Sequence, residues 1–202
     1  MAVETKPVNI IVGIGGTGGR IISEIKRLNA QRKYYFGEES LGSYKYLYYD
    51  TSDDVYSYKG YWQSSYGEFS LNPREFLKGD SAVVDAKLQS GSMREEIGTW
   101  LADIEGIQLS RRSDRQGADQ RRRLGRIIFH SVASEFRNRF EEMLPGSGSD
   151  QIAAVHLFGS PAGGTGGGSM IDAQLLINKC LGGRKGEVSL YLVTPERPDS
   201  KL

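Results

Sequence analysis

GSPAGGTGGG, at residues 159–168, is the stretch that decides the fold of this sequence. It follows a short apolar segment, residues 152–158, and precedes a segment from Ser169 to about Cys180 in which apolar residues recur at helical spacing. Glycines leave backbone N–H groups open to an anion, and the amino end of the following helix carries a partial positive charge at the same place. The sequence therefore predicts a strand, a phosphate-holding loop and a helix, in that order.

The same order occurs near the start of the chain. A β-branched segment, residues 8–14, leads into GIGGTGG at residues 13–19, and helical spacing follows at Ile21, Ile22, Ile25 and Leu28. Taken alone, this loop leaves the class of protein open, because it also fits the G-x-G-x-x-G fingerprint of dinucleotide-binding folds. Asp50 ends the next predicted strand, where those folds place a ribose-binding acid. A dinucleotide fold does not need a second loop as rich in glycine, so the second loop favours another class.

Strands and helices alternate along the whole chain. Further strands are predicted at residues 44–49 and 188–193, and a long helix at about 120–144. Between them, residues 52–106 have a weaker pattern that predicts a largely helical connection, with helices at 73–78 and 93–103. The alternation predicts one α/β domain over residues 1–202. It would be Rossmann-like and three-layered, with a mostly parallel sheet, helices on both faces and a ligand at the carboxyl edge of the strands.

The composition excludes several classes of protein. The 202 residues carry a formal net charge of +1, so no global field attracts the chain to nucleic acid or to an anionic membrane. The apolar runs are far shorter than the roughly 20 residues of a membrane-spanning helix. A single cysteine cannot form an internal disulfide, and charged residues precede the first apolar run. We therefore expect a cytoplasmic protein, and no Gly-Lys-Ser/Thr follows either loop to indicate a P-loop ATPase.

Five short segments resemble the tubulin/FtsZ superfamily, in that family's order, and one of them is Asp50-Thr51, which resembles the segment near the phosphates and magnesium. AGGTGGGS at residues 162–169 resembles the G-G-G-T-G-S/T-G signature, with Gly167 at the usual Ser/Thr position, and the first glycine loop resembles the cluster that opens FtsZ, with Arg20 at a common Asn position. GADQ at 117–120, followed by Leu-Gly-Arg, resembles the loop that senses the γ-phosphate in FtsZ. VTPE at 193–196 resembles the strand end that contacts the ribose. The chain is similar to the nucleotide-binding domain of this superfamily, and most of all to divergent bacterial tubulin-like proteins.

The resemblance implies GTP or GDP with Mg²⁺ as cofactors. The residues that would bind the nucleotide are Gly15, Gly16, Thr17, Gly18, Gly19, Arg20, Asp50, Thr51, Gly117, Ala118, Asp119, Gln120, Ser160, Gly163, Gly164, Thr165, Gly166, Gly167, Gly168, Thr194, Pro195 and Glu196. The resemblance also makes Asp50 and Asp53 candidates for binding Mg²⁺ through water.

The resemblance further implies a subunit of a cytoskeletal-type filament that assembles in response to nucleotide. Its partners would be copies of itself or other tubulin-like chains, and we expect neither a membrane nor a nucleic-acid partner. In the family, acidic residues of the next subunit's loop complete the hydrolytic site. The central helix, that loop and the second domain have no counterpart in residues 1–202, so we expect little or no hydrolysis by this chain alone. The alternatives are a nucleotide-gated interaction module that does not polymerise and, with less support, a NAD or FAD enzyme of the Rossmann type.

Three further segments of the sequence have features that the resemblance does not explain. Residues 52–110 exceed the FtsZ counterpart in length and are a possible lineage-specific insertion. Ten of the 11 tyrosines lie between Tyr34 and Tyr66, which suggests either packing within the domain or a protein interface. Residues 111–126 contain seven arginines against two aspartates, which suits either phosphate contact or a solvated helix start. Arg121 and Arg126 are the candidates for phosphate contact.

Overall fold

The computed structural model describes residues 7–37, 42–93, 97–98, 118, 120–146 and 148–194. Within these ranges the helices and strands are β1 (Val8–Ile14), α1 (Gly15–Phe36), β2 (Ser43–Asp50), α2 (Asp54–Ser57), β3 (Gln63–Ser64), β4 (Gly67–Glu68), β5 (Phe76–Lys78), α3 (Ser81–Gln89), α4 (Arg122–Met143), β6 (Ala153–Gly159), α5 (Gly164–Leu181) and β7 (Gly186–Leu192).

Five parallel strands form the main sheet, in the order β5-β2-β1-β6-β7. The register places Ile14 at the end of β1 opposite Tyr49 on β2 and Gly159 on β6. The three central strands therefore end together, and the residues that follow them start from one edge of the sheet. This confirms the predicted parallel sheet and places the glycine loops side by side.

Helices cover both faces of the sheet, as predicted. On one face, α4 and α5 pack on the strands in a core that includes Leu47, Phe136 and Ala173. On the other face, α1 contributes Ile22 to a second core with Tyr48. The domain is therefore a three-layer α/β structure.

The long helix follows its predicted pattern closely. Its apolar residues Leu124, Ile127, Ile128, Phe136 and Phe140 are all buried. The predicted range of 120–144 becomes Arg122–Met143 in the structure. No helix in the described ranges is both long enough and apolar enough to cross a lipid bilayer.

The predicted helix at residues 73–78 is wrong. Residues 76–78 form β5, which pairs in parallel with β2 so that Phe76 lies opposite Tyr48. Leu77 enters the core beneath α4, while the Phe76 ring stacks on Tyr56 on the other face, with centroids 4.3 Å apart. A strand of three residues has no periodicity of its own, and it forms because its backbone completes hydrogen bonds offered by β2.

The predicted largely helical connection is also wrong in the part that the structure describes. Besides β5, this part contains the antiparallel pair β3–β4, a 3-10 turn at Lys59–Trp62 and the short helices α2 and α3. Most of the predicted helix at 93–103 lies outside the described residues. Whether residues 52–110 are an insertion stays a prediction, although they supply one strand of the main sheet.

Both helices next to the glycine loops begin earlier than the sequence predicts. The first starts at Gly15, directly after β1, and the second at Gly164 rather than Ser169. Several glycines therefore lie inside helices, where the intrinsic preference of glycine is poor. They allow close packing instead: a methyl group on Gly18 would lie 2.8 Å from the Phe158 carbonyl oxygen, and one on Gly19 would lie 2.5 Å from the Tyr48 ring.

The packing role of Gly18 leads to a stability prediction. Gly18→Ala should lower the free energy of unfolding by about 1–3 kcal/mol, because the added methyl meets backbone of β1 and β6 that cannot move aside. Urea unfolding of the nucleotide-free protein measures the change.

Gly16→Ala is the matched control for this substitution. Its methyl would have Val55 at 3.8 Å as the nearest neighbour, so stability should be unchanged or slightly higher. If Gly18→Ala and Gly16→Ala lowered the free energy of unfolding equally, close packing around Gly18 would not be the cause of the loss.

Candidate nucleotide-binding site

A pocket of about 190 Å³ lies at the carboxyl edge of the sheet, where the two glycine loops meet. The loops touch: a methyl group on Gly15 would lie 3.2 Å from the Gly166 backbone nitrogen. The residues that line the pocket are Ile14, Gly15, Gly16, Thr17, Asp50, Thr51, Ser52, Ala118, Gln120, Ser160, Gly163, Gly164, Thr165 and Gly166. Two stretches about 150 positions apart in the sequence thus form one site.

Both helices direct their amino ends into this pocket. The residues before the two helices, Ile14 and Gly163, make no side-chain capping hydrogen bond, and neither helix has an acidic residue in its first turn. The first N–H groups of a helix have no partner within the helix and carry the positive end of its dipole. Among the described residues, no atom beyond the two chain neighbours of Gly163 lies within 4 Å of the position that a methyl group on it would take, so the backbone there is open. This arrangement suits an anion such as phosphate.

Asp50 lies at the base of the pocket and is almost entirely enclosed, with 5% of its surface exposed. Its Oδ1 accepts hydrogen bonds from Thr51 N at 2.7 Å and from Thr165 Oγ1 at 3.0 Å, and its Oδ2 accepts one from Tyr48 Oη at 2.7 Å. The Thr51 hydroxyl contacts that of Thr165 at 2.7 Å and accepts a hydrogen bond from Ala118 N at 2.9 Å. These bonds link the end of β2 to the start of α5 and to residue 118.

Burial and hydrogen bonding act in opposite directions on the acidity of Asp50. Burial raises the pKa of Asp50, while the hydrogen bonds from Tyr48, Thr165 and the backbone lower it, and the net shift is upward. Burial, together with the nearby charge of Asp50, also raises the pKa of Tyr48. Tyr48 therefore acts as a hydrogen-bond donor to Asp50 at any physiological pH.

Gln120 has an unusual backbone conformation. With φ at 58°, it is the one non-glycine residue with positive φ in the described ranges. The left-handed region is unfavourable for a side chain such as glutamine, and such positions cluster at functional sites. It occurs where the segment from Ala118 turns into α4, beside Gly164.

Twelve residues of the predicted set lie in the pocket lining. Of the others, Gly18, Gly19, Gly167 and Gly168 face neighbouring backbone or side chains and serve helix packing. Arg20 is exposed and lies over the Tyr61 ring at 5.6 Å, and Thr194 is exposed beyond the end of β7. Gly117, Asp119, Pro195 and Glu196 lie outside the described residues. The sequence did not indicate Ile14 or Ser52 as site residues, although Ile14 lies within the first glycine loop and Ser52 directly follows Asp50-Thr51.

The two candidate metal-binding carboxylates lie in different surroundings. Asp50 lines the pocket, whereas Asp53 is half exposed, lies outside the lining and forms an ion pair with Lys78 at 2.9 Å. The hydrogen bond from Lys78 lowers the pKa of Asp53. The described residues contain no cluster of three or more His, Cys, Asp or Glu side chains able to hold a metal ion.

The arginine-rich segment is only partly described. Arg126 lies outside the pocket and forms a bidentate pair with Asp172 on α5, at 2.7 and 3.0 Å. Arg121 contacts the start of α5 through its backbone, since a methyl on Gly164 would lie 2.9 Å from Arg121 N. Residues 111–117 lie outside the described ranges. The structure therefore gives Arg126 a role in joining α4 to α5.

The tyrosines divide between core and surface. Tyr48 and Tyr49 on β2 are fully buried, as the predicted strand requires. Tyr34, Tyr35 and Tyr58 are more than half exposed. A protein partner at the exposed group stays a prediction.

The fold and the pocket define a Rossmann-like α/β protein with two glycine-rich helix starts at one sheet edge. The profile of the tubulin-like family matches residues 10–201, which is nearly the whole chain, and the chain belongs to this family. No curated protein matches the sequence significantly.

A solved structure, CetZ2 from Haloferax volcanii as a GTPgS-bound protofilament, is similar in fold. The TM-score is 0.46 at 16% sequence identity, and the match covers 93% of this chain and 39% of the CetZ2 chain. This chain therefore spans well under half the length of that relative.

The opposite surroundings of Asp50 and Asp53 predict opposite pH effects on stability. Because the folded-state pKa of Asp50 is raised, its ionised form costs stability at neutral pH, and this cost disappears as the pH falls through the folded pKa toward the unfolded value of about 3.9. Relative to Asp50→Asn, wild-type protein should therefore become more stable as the pH is lowered from 7 toward 4. Urea unfolding at several pH values measures this difference.

Asp53→Asn is the control, with the reverse sign. The folded-state pKa of Asp53 is lowered, so its stabilisation is present above the unfolded pKa and disappears as the pH falls through the folded value. If the stability difference from wild type changed with pH in the same direction for both variants, the surroundings assigned to Asp50 and Asp53 would be contradicted.

Proposed function

We propose that this chain binds GTP or GDP and that the pocket holds the phosphate groups. The observation that carries the proposal is the meeting of two uncapped helix starts, at Gly15 and Gly164, in one pocket. Each supplies N–H groups and a partial positive charge, and together they suit a chain of phosphates better than a single anion.

Membership of the tubulin-like family supports guanine nucleotide as the ligand. The pocket itself is smaller than the roughly 300 Å³ at which small-molecule sites begin, so it accommodates the phosphates while the nucleoside lies outside it. Thr194 follows β7 at the same edge of the sheet, which is consistent with the ribose contact that its motif implies.

The arrangement of Asp50 argues against a dinucleotide enzyme. In dinucleotide folds, the acid after the second strand faces the ribose hydroxyls. Here its oxygens accept hydrogen bonds from Tyr48, Thr51 and Thr165, so the carboxylate is occupied within the protein.

The residues of the pocket fit Mg²⁺ only in part. Asp50 supplies negative charge, and the one bond that its Oδ2 accepts, from Tyr48, leaves that oxygen a lone pair for a water molecule bound to the ion. Asp53 is directed to Lys78 instead. When bound with the nucleotide, Mg²⁺ would neutralise phosphate charge.

We further propose nucleotide-dependent self-association with little hydrolysis by this chain alone. Family membership supports assembly with tubulin-like chains. Hydrolysis requires a group that orients or deprotonates water, and Asp50 is the single carboxylate in the described lining. Asp50 is 5% exposed and accepts hydrogen bonds on both of its oxygens, so it is poorly placed for that task.

Blocking the open backbone at Gly163 tests the binding site. Gly163→Leu should weaken binding of a fluorescent GTP analogue on the order of 100-fold, about 2.7 kcal/mol, because the side chain projects into space needed by phosphate. The fold should be retained, since φ is −80° at this position and no atom of the described residues, other than those of its chain neighbours, lies within 4 Å of the added methyl position.

Gly146→Leu provides the matched control. Gly146 has equally open surroundings and no positive φ but lies outside the pocket, so affinity should be unchanged. Wild-type affinity in Gly163→Leu, or tighter binding of NAD than of GTP by the wild type, would contradict the proposed function.

Assembly and turnover can be followed on the purified wild-type chain. Sedimentation should increase with GTP or its non-hydrolysable analogue and not without nucleotide, while phosphate release stays well below about one per second. Unchanged sedimentation with clear GTP binding would favour a nucleotide-gated module, and faster turnover would contradict the proposed dependence on a partner's acidic loop.

A further inference from the structure

The outer surface of α4 and α5 carries exposed apolar side chains beside a groove. Ile171 and Leu175 lie one turn apart on α5 and are 72% and 61% exposed. A cavity of about 280 Å³ lies between the two helices next to Leu175, and Phe129, Ala133 and Leu176 contribute to its lining. Exposed apolar patches of this kind mark sites of protein association. We call this surface, which is centred on Leu175, the α4–α5 face.

The α4–α5 face is separate from the candidate nucleotide-binding pocket. The residues that line its cavity and those that line the pocket do not overlap. Leu175 lies about three turns along α5 from the helix start at Gly164, which corresponds to about 16 Å of helix. Association through this face therefore does not require bound nucleotide, and it goes beyond the proposed function.

The charges on either side of Leu175 fit a second copy of the same chain. On α5, Asp172 precedes Leu175 by about one turn and Lys179 follows it by about one turn. If two α5 helices lie antiparallel, with a two-fold axis between Leu175 and Leu176, Asp172 of each copy lies opposite Lys179 of the other. In a parallel pair, Asp172 would face Asp172 and Lys179 would face Lys179, and such like-charge contacts are unfavourable. The pattern is therefore self-complementary in the antiparallel arrangement, which a two-fold dimer can adopt.

Asp172 is already held in the position that this contact needs. Its carboxylate accepts two hydrogen bonds from Arg126, at 2.7 and 3.0 Å, and its side chain is 26% exposed. An ionised carboxylate can accept about four hydrogen bonds, so Asp172 can also accept one from a lysine of a second copy. Lys179 is exposed on the same side of α5 as the cavity. The acidic group is thus fixed before association, while the long lysine side chain adapts to it.

We propose that the α4–α5 face binds the same face of a second copy, in an antiparallel two-fold contact centred on Leu175. The 18 residues of α5 give the face a length of about 27 Å, and two adjacent helices give it a width of about 20 Å. Pairing then buries roughly 1,000 Å² in total, at the low end for specific interfaces, so the dimer is weak. Because a two-fold contact closes on itself, it joins two chains side by side and does not by itself extend a filament.

Light scattering of the nucleotide-free protein tests the contact. Between roughly 10 and 500 µM, the average mass of wild type should rise from that of one chain toward that of two. Leu175→Lys should stay monomeric, because two lysines would meet at the two-fold axis. Leu28→Lys is the matched control: Leu28 is 49% exposed on α1, away from this face, so this variant should dimerise like wild type. Circular dichroism of both variants checks that helix content is unchanged.

The charged contact has its own test. Lys179→Glu should weaken dimerisation on the order of tenfold, because each dimer then contains two glutamates opposite two aspartates. Lys179→Gln, which removes the charge without reversing it, should weaken dimerisation less. Equal affinities of the two variants would contradict the pairing of Lys179 with Asp172.

Disulfide formation tests the antiparallel register. In the proposed dimer, the two copies of Leu175 lie about 1.5 Å apart along the helix axis, and the two copies of Ile171 about 13 Å apart. Under mild oxidation, Leu175→Cys should therefore form a cross-linked dimer, and Ile171→Cys should not, since a disulfide needs close Cα atoms. Wild type supplies the background from Cys180, which is buried.

Three results would overturn the proposal. Wild type could remain monomeric over the whole concentration range. Leu175→Lys could dimerise as strongly as wild type. Ile171→Cys could cross-link as readily as Leu175→Cys. Because these measurements use nucleotide-free protein, they are independent of whether the pocket binds GTP, and a failure of the proposed function would be seen separately in nucleotide binding.

Discussion

The structure depends on the hydrogen bonds that converge on the Asp50 carboxylate. They come from Tyr48 on the same strand, from Thr51 after it, and from Thr165 in the first turn of α5. A buried carboxylate is costly unless its oxygens are satisfied, so this interaction is stable only while β2 and α5 hold their relative positions. The same side chains that tie the two halves of the pocket together also form its base. The geometry of the candidate site therefore follows from hydrogen bonds that offset part of the cost of burying this carboxylate.

The glycines serve two separate physical purposes. Those at the mouth of the pocket, such as Gly16 and Gly163, have open space where a side chain would project. Those one turn further along the helices, such as Gly18 and Gly168, allow a helix to approach other backbone closely. Close packing at the second group determines how near to each other the two helix starts lie, and these starts carry the first group. A glycine-rich motif of this kind therefore indicates close helix packing as well as ligand binding.

The sequence predicted the features that repeat or extend over many residues. The parallel sheet follows from two strand–glycine–helix units, and α4 follows from apolar spacing over six turns. The sequence did not predict β5, because its three residues become a strand only through pairing with β2. It placed the start of α5 too late, because glycine disfavours helix locally while packing against α4 imposes it. Its assignment of Asp50 to the binding site stays a prediction. The sequence could not show the hydrogen bonds to this carboxylate, since their donors come from residues 48 and 165 and only the fold shows that they meet.

Amide hydrogen exchange with and without GTP is the most direct measurement of whether the two helix starts hold one nucleotide. The N–H groups of residues 164–166 precede the first helical hydrogen bond of α5, which joins Gly167 N to Gly163 O, and residues 15–17 have the equivalent position in α1. Such groups exchange rapidly unless a ligand accepts from them. GTP should slow exchange at residues 15–17 and 164–166 together, at the same nucleotide concentration. Protection of one set without the other, or of neither, would contradict a shared phosphate site.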